Sequence, residues 1–200
     1  MRTVARRAPS KRGLSMVELL LSLALLGIVL TKLGLIVSEA SQAHRRESAS
    51  MALEDQASTL LDRISYAIVG ARAENLNPGV APPFSTDSLT YQISLGIQDG
   101  ELVLSDPEII ALSDDTELYW GQNVGEVDER IVVWSRTVSE LLEDELVNGV
   151  DDNDNGIQDE LGLSFVVEES RVTIRLTLER TDREGNVAQV TQETMVTCRN

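Results

Sequence analysis

The sequence has one cysteine, Cys198, and one histidine, His44. A single cysteine excludes any intramolecular disulfide, so an oxidising compartment adds no covalent staple to this chain. Cys198 reads as a small side chain on the last strand. His44 stands in "QAHRRES" with no nucleophile pattern around it and reads as a solvated helix residue. Also missing are a glycine-rich phosphate loop, a Ser/His/Asp or Cys/His arrangement and any zinc-ligand spacing. Paired carboxylates are plentiful, but none sits in a recognisable aromatic or apolar pocket context. These absences argue against an enzyme.

Positive charge is scarce and unevenly placed. The chain carries 17 Lys and Arg against 33 Asp and Glu, a formal charge of −16. Five of the basic residues, Arg2, Arg6, Arg7, Lys11 and Arg12, lie within residues 1–13, so the remainder has 12 basic against 33 acidic residues, or −21. A body so acidic repels nucleic acid and anionic lipid headgroups, and it suits divalent cations or a basic partner. With 200 residues, 42% of them hydrophobic, the chain allows one ordinary domain plus an appended segment.

That appended segment follows the basic stretch. Over residues 14–31 the only polar residues are Ser15, Glu18, Ser22 and Thr31. A helix of this length rises roughly 27 Å, close to the thickness of a bilayer core, and Lys32 can snorkel at its far end. By the positive-inside rule the amino terminus is cytoplasmic and the body extracytoplasmic. Glu18 is out of place, because a carboxylate at the edge of hydrocarbon costs roughly 2 to 3 kcal/mol or more and needs a partner. A secretory signal peptide cleaved near "SEA" or "SQA" and a permanent anchor with an incidental glutamate are two readings of the segment.

A third reading comes from "GLSMVELLLSLALLGIV", which resembles the cleavage and methylation signal of type IV pilins and type II secretion pseudopilins. The resemblance implies that Gly13 precedes the scissile bond, Leu14 becomes the new amino terminus and Glu18 is the fifth mature residue. It further implies a membrane-embedded prepilin peptidase that cuts on the cytoplasmic side and methylates the new amine. A glycine lets backbone enter a narrow protease cleft, and the released ammonium can pair with the Glu18 carboxylate of a neighbouring subunit, removing the cost of burying either charge alone. Leu14 replaces the commoner phenylalanine, and Leu35 stands where many major pilins have proline, which predicts a straighter helix with Gly27 and Gly34 as its soft points.

Downstream, the chain is free of proline up to Pro78, and Leu53, Ala57, Leu60, Ile64, Ala67, Ile68 and Ala71 recur at helical steps. They form one apolar stripe opposite Glu54, Asp55, Asp62 and Arg63. Asn75, Asn77, Pro78, Gly79, Pro82 and Pro83 then end the helix. Beyond Ser85 the segments "LTYQISL", "ELVLS", "ELYWGQ", "RIVVWS", "LSFVVEE", "RVTIRLTLER" and "VAQVTQETMVTC" read as strands of an antiparallel sheet, with "DREGN" as a hairpin turn. Val172, Ile174, Leu176 and Leu178 take one face of their strand; Thr173, Arg175, Thr177 and Glu179 take the other.

Residues 145–162, "ELVNGVDDNDNGIQDELG", are too polar for a strand and too rich in Asn, Asp and Gly for a helix. Asp151, Asn153, Asn155, Gly156, Ile157 and Asp159 follow positions 1, 3, 5, 6, 7 and 9 of an EF-hand loop, where alternate side chains converge on calcium. Position 12 is Gly162 in place of the bidentate glutamate. The order resembles instead the short calcium loops of dockerins and thrombospondin type 3 repeats, in which later carboxylates such as Asp159 or Glu160 complete the shell. Asp152 and Asp154 alternate away from the ion. The expected ligands are Asp151, Asn153, Asn155, the Ile157 carbonyl, Asp159 and Glu160. Oxygen-only donors in a flexible loop favour calcium, held as a structural metal, over zinc and magnesium.

The expectation is an α+β, pilin-like fold: a basic leader (residues 1–13), a transmembrane helix (14–37), its periplasmic continuation (38–74) and an antiparallel β domain (75–200). The resemblance, narrowest to J-type minor pseudopilins and PilW-like minor pilins, implies a methylated, processed subunit of the bacterial inner membrane, its β domain periplasmic. Such a subunit assembles with other pilin or pseudopilin subunits into a short filament for type II protein secretion or type IV pilus biogenesis. Its expected partners are prepilin peptidase, those subunits and inner-membrane lipid, without nucleic acid. The alternative is a permanently membrane-anchored, calcium-dependent binding or adhesion module.

Overall fold

A computed structural model describes residues 15–113, 116–182 and 185–198. The cleavage-site residues Gly13 and Leu14 lie outside them. Helix α1 (Met16–Ile68) is followed by a short 3-10 turn (Ala73–Asn75) and nine strands. These are β1 (Ser88–Tyr91), β2 (Ser94–Gln98), β3 (Glu101–Leu104), β4 (Glu108–Leu112), β5 (Leu118–Gln122), β6 (Arg130–Ser135), β7 (Leu163–Glu168), β8 (Arg171–Thr181) and β9 (Val187–Thr197). The chain forms two compact units, Met1–Arg46 and Glu47–Asn200, and α1 contributes to both.

In the first unit every described residue is exposed, and this part of α1 is long and apolar enough to cross a membrane. Its hydroxyls are satisfied by the helix itself: Ser22 Oγ donates to the Glu18 carbonyl and Thr31 Oγ1 to the Gly27 carbonyl, each at 2.8 Å. Such back-bonding is how serine and threonine meet an apolar solvent without an orphan donor. The Glu18 carboxylate has no partner among the described residues.

In the second unit the apolar stripe of α1 is the spine of the core. Leu53, Ala57, Leu60, Leu61, Ile64 and Ile68 are buried, Ala67 is half-buried and Ala71 is buried just beyond the helix, while Glu54, Asp55, Asp62 and Arg63 are exposed, as the helical spacing predicts. They share one cluster with Leu89, Tyr91, Ile110, Phe165 and the inward residues of β8. Val172, Ile174, Leu176 and Leu178 all have no exposure, so the period-two reading of β8 holds. Each large side chain buried in this way is worth about 2 to 3 kcal/mol. Polar contacts fix the helix on the sheets: Gln56 Nε2 donates to Ser135 Oγ at 3.2 Å and to Thr137 Oγ1 at 3.0 Å, and the Arg63 guanidinium stacks over Trp134 at 4.4 Å.

The strands form three antiparallel sheets, ordered β1-β4-β5-β6, β2-β3 and β7-β8-β9. Thr86, two residues before β1, and Phe165 of β7 exchange backbone hydrogen bonds of 3.0 and 2.7 Å, tying the start of the first sheet to the third. The single antiparallel sheet expected from the sequence is thus three, and three further amendments follow. "LTYQISL" is two strands, because Gln92 Nε2 and the Ile93 amide both bond to Ser105, which ends β1 and starts the β2-β3 hairpin. "EIIAL" is an additional strand, β4, between β1 and β5. The helix stops at Ile68, six residues before residue 74. A Cβ on Gly70 would lie 3.2 Å from Ile93, and Ala71 already bridges to Ile93 as extended chain.

Candidate functional site

The acidic loop, residues 145–162, joins β6 to β7 through a short approach that pairs with the main sheet system. Ser139 donates its amide to Thr177, Leu142 donates to the Glu160 carbonyl at 3.0 Å, and Leu141 bridges Leu161. The two ends of the loop are thus held side by side, and the polar sequence between them must turn back on itself.

It does so by side-chain caps of the kind Asx residues favour. Asp151 Oδ1 accepts the Asn155 amide at 3.0 Å and its Oδ2 the Gly156 amide at 2.7 Å. Asn153 Oδ1 accepts the Asn155 amide at 3.1 Å, and Asn155 Oδ1 accepts the Ile157 amide at 2.9 Å. Gly156 has φ +90°, in the region that favours glycine, which is the sharp turn expected at this position. Exposure alternates along the turn: Asp151, Asn153 and Asn155 are half-buried and Ile157 buried, whereas Asp152, Asp154 and Gly156 are exposed.

The two later carboxylates are engaged elsewhere. Asp159 Oδ1 accepts the amides of Asn148 at 2.7 Å and Gly149 at 2.8 Å, closing the front of the loop. Glu160 has no exposure and is held by three donors: Arg175 Nη1 at 2.9 Å, Ser164 Oγ at 2.7 Å and the Asn155 side-chain amide. Arg175 in turn reaches Glu193 at 2.6 Å. Gly162 is a packing glycine, since a Cβ there would fall 1.9 Å from the Ser139 carbonyl oxygen. A glutamate at the twelfth position, which an EF-hand would use, has no room.

Sequence reasoning missed Glu145. It is 4% exposed at the loop entrance, with Oε1 accepting the Asn153 amide at 3.4 Å and Oε2 without a hydrogen-bond partner among the described residues. Burial pushes its carboxyl up from the usual range; the Asn153 amide opposes that, and the charges of Glu160, Asp151 and Asp152 add to it. No periodic signal marks the residue, because its burial follows from the pairing of the loop ends. A cavity of about 310 Å³ borders the loop, lined in part by Asn153, Asn155, Arg175 and Glu193. Among the described residues no three His, Cys, Asp or Glu side chains are gathered as a ready-made metal cluster.

Glu18, the other singled-out residue, lies exposed in the first turn of α1. The fold agrees at a coarse level with the α+β expectation, a long apolar amino-terminal helix and an antiparallel β domain. In comparisons with known proteins the chain matches no protein-family model, no curated protein and no solved structure.

Proposed function

We propose that this chain is a structural subunit of pilin type, processed after Gly13 by a prepilin peptidase and assembled through its amino-terminal helix into a short periplasmic filament. The filament serves type II protein secretion or type IV pilus biogenesis, with a J-type or PilW-like minor subunit as the nearest description. The mature chain crosses the bacterial inner membrane once, amino terminus in the cytoplasm, and has no catalytic role. The single observation that carries this reading is Glu18, a carboxylate without a partner among the described residues, in an exposed apolar helix and five residues after a glycine that closes a basic stretch. An isolated charge there is costly, and a neighbouring subunit's terminal ammonium would offset it.

Mass spectrometry of the amino terminus tests the proposal. A methylated Leu14 is the expected result, and an intact Met1 or a start near Ser41 or His44 overturns it. Glu18→Ala should leave cleavage intact and abolish assembly.

In this reading calcium on the acidic loop is a structural metal that fastens the β domain, held by Asp151, Asn153, Asn155 and the Ile157 carbonyl, while Asp159 and Glu160, the later carboxylates expected from the sequence, are bonded within the protein. The well-formed loop also favours a second reading, a permanently anchored calcium-dependent binding or adhesion module. An unprocessed amino terminus together with calcium-dependent capture of a ligand would select it.

A further inference from the structure

We infer that Glu145 supplies the carboxylate that completes a single divalent-cation site on the acidic loop, together with Asp151 and the side-chain oxygen of Asn153, and that calcium occupies it. The inference rests on reading residues 151–160 as a calcium loop and adds the ligand which that reading lacks.

A cluster of acidic residues is by itself only a solvated turn. Glu145 differs from its neighbours because it is more than nine-tenths buried and one of its oxygens has no hydrogen-bond partner among the described residues. Buried carboxylate oxygens are ordinarily satisfied, and one that is not asks for a proton or a cation. The direction of the group is fixed by its other oxygen, which takes the Asn153 amide, so the carboxyl lies over the stretch that carries the expected ligands.

The two later carboxylates are turned to donors within the protein. Glu160 is neutralised by Arg175 and further bonded by Ser164 and Asn155, and Asp159 is turned to the amides of Asn148 and Gly149 at the front of the loop. The like charges of Glu160, Asp151 and Asp152 act on Glu145, and no basic side chain bonds to it among the described residues. A cation there cancels that repulsion and satisfies Oε2 in one step. Asp151 and Asn153 are held in place by the backbone amides they accept, which leaves lone pairs for an ion. Two carboxylates, one amide oxygen and water make a shell that calcium accepts readily, and the absence of nitrogen or sulfur donors disfavours zinc.

Equilibrium dialysis with radioactive calcium, on the full chain in detergent micelles, tests the assignment. The wild type should bind one calcium per chain, Glu145→Gln should weaken binding at least tenfold, and Glu143→Gln, at an exposed neighbour, should bind within twofold of wild type. In EDTA, Glu145→Gln should melt at or above the wild-type temperature, because it removes an unneutralised charge; a lower melting temperature marks a purely structural residue and overturns the inference. Should the glutamine variant fail to fold, Glu145→Met, which buries no polar atom, must show the same tenfold loss. Calcium binding that is unchanged in these variants but lost in Asp151→Asn overturns the role of Glu145 and leaves the calcium loop standing. A wild type that binds no calcium overturns both.

Discussion

Arg175 directs Nη1 to Glu160 Oε1 at 2.9 Å, and the carboxylate it meets has no solvent exposure. This ion pair fixes the far end of the acidic loop to the middle of β8, where Arg175 pairs in register with Ser164 of β7 and Glu193 of β9. Burying two charges brings little net gain while both are present, but removing one leaves the other uncompensated. Arg175→Met should therefore cost about 3 to 5 kcal/mol. Adding Glu160→Gln to it should recover part of that loss, as read by urea unfolding followed through tryptophan fluorescence.

Gly162 and Gly156 should respond differently to alanine. A Cβ at 162 meets the Ser139 carbonyl at 1.9 Å, so main chain must move, and a loss of about 3 kcal/mol or more is expected. At 156 there is open space and only the positive φ opposes a side chain, so Gly156→Ala should cost about 1 to 2 kcal/mol. Equal losses in the same unfolding experiment would contradict the close approach of Gly162 to Ser139.

Tyr91 gives the β domain a marked alkaline limit. Its hydroxyl donates to Glu108 Oε2 at 2.7 Å, and Trp120 Nε1 donates to the same oxygen at 2.9 Å. Burial, and then the Glu108 hydrogen bond and charge, push the phenol far above its ordinary value, with the Trp120 contact acting the other way. The folded state thus keeps a proton that the unfolded chain releases above about pH 10. Stability is unaffected by this group below that pH and should fall above it by about 1.4 kcal/mol per pH unit. Tyr91→Phe should remove this contribution, visible as a shallower loss of melting temperature between pH 10 and 11.

The helix stripe predicts a simple contrast. Ile64 has no exposure and Tyr66, two residues on, is 85% exposed. Ile64→Ala should cost about 2 to 5 kcal/mol, whereas Tyr66→Ala should stay within about 0.5 kcal/mol. Thermal unfolding of both variants in the same detergent checks it.

How much of this was legible beforehand depended on whether a feature is periodic. The three- and four-residue steps from Leu53 to Ala71 and the alternation from Val172 to Leu178 each repeat often enough to mark a buried face, and all of those residues but the half-buried Ala67 are buried. "EIIAL" escaped because it is a short continuous apolar run, which period two cannot flag. The alternation of exposure from Asp151 to Gly156 was readable from spacing alone. The burial of Glu145 was not, since it depends on Leu142 meeting Glu160 across the loop, and the occupation of Glu160 by Arg175 depends on β8 lying beneath it. Gly162 looked like a missing ligand and is instead a contact between two stretches of backbone.

The lone thiol at the end of β9 has a practical consequence. Cys198 is buried, its S–H faces the Ile68 carbonyl at 3.6 Å, and burial raises its pKa, so in the closed state it is shielded and un-ionised. With one cysteine in the chain, every molecule that reacts with a thiol reagent has parted the last strand from the end of α1 at least once. Labelling kinetics under native conditions thus time the breathing of that seam without an introduced probe, and calcium dependence of the rate would report whether the acidic loop is coupled to it.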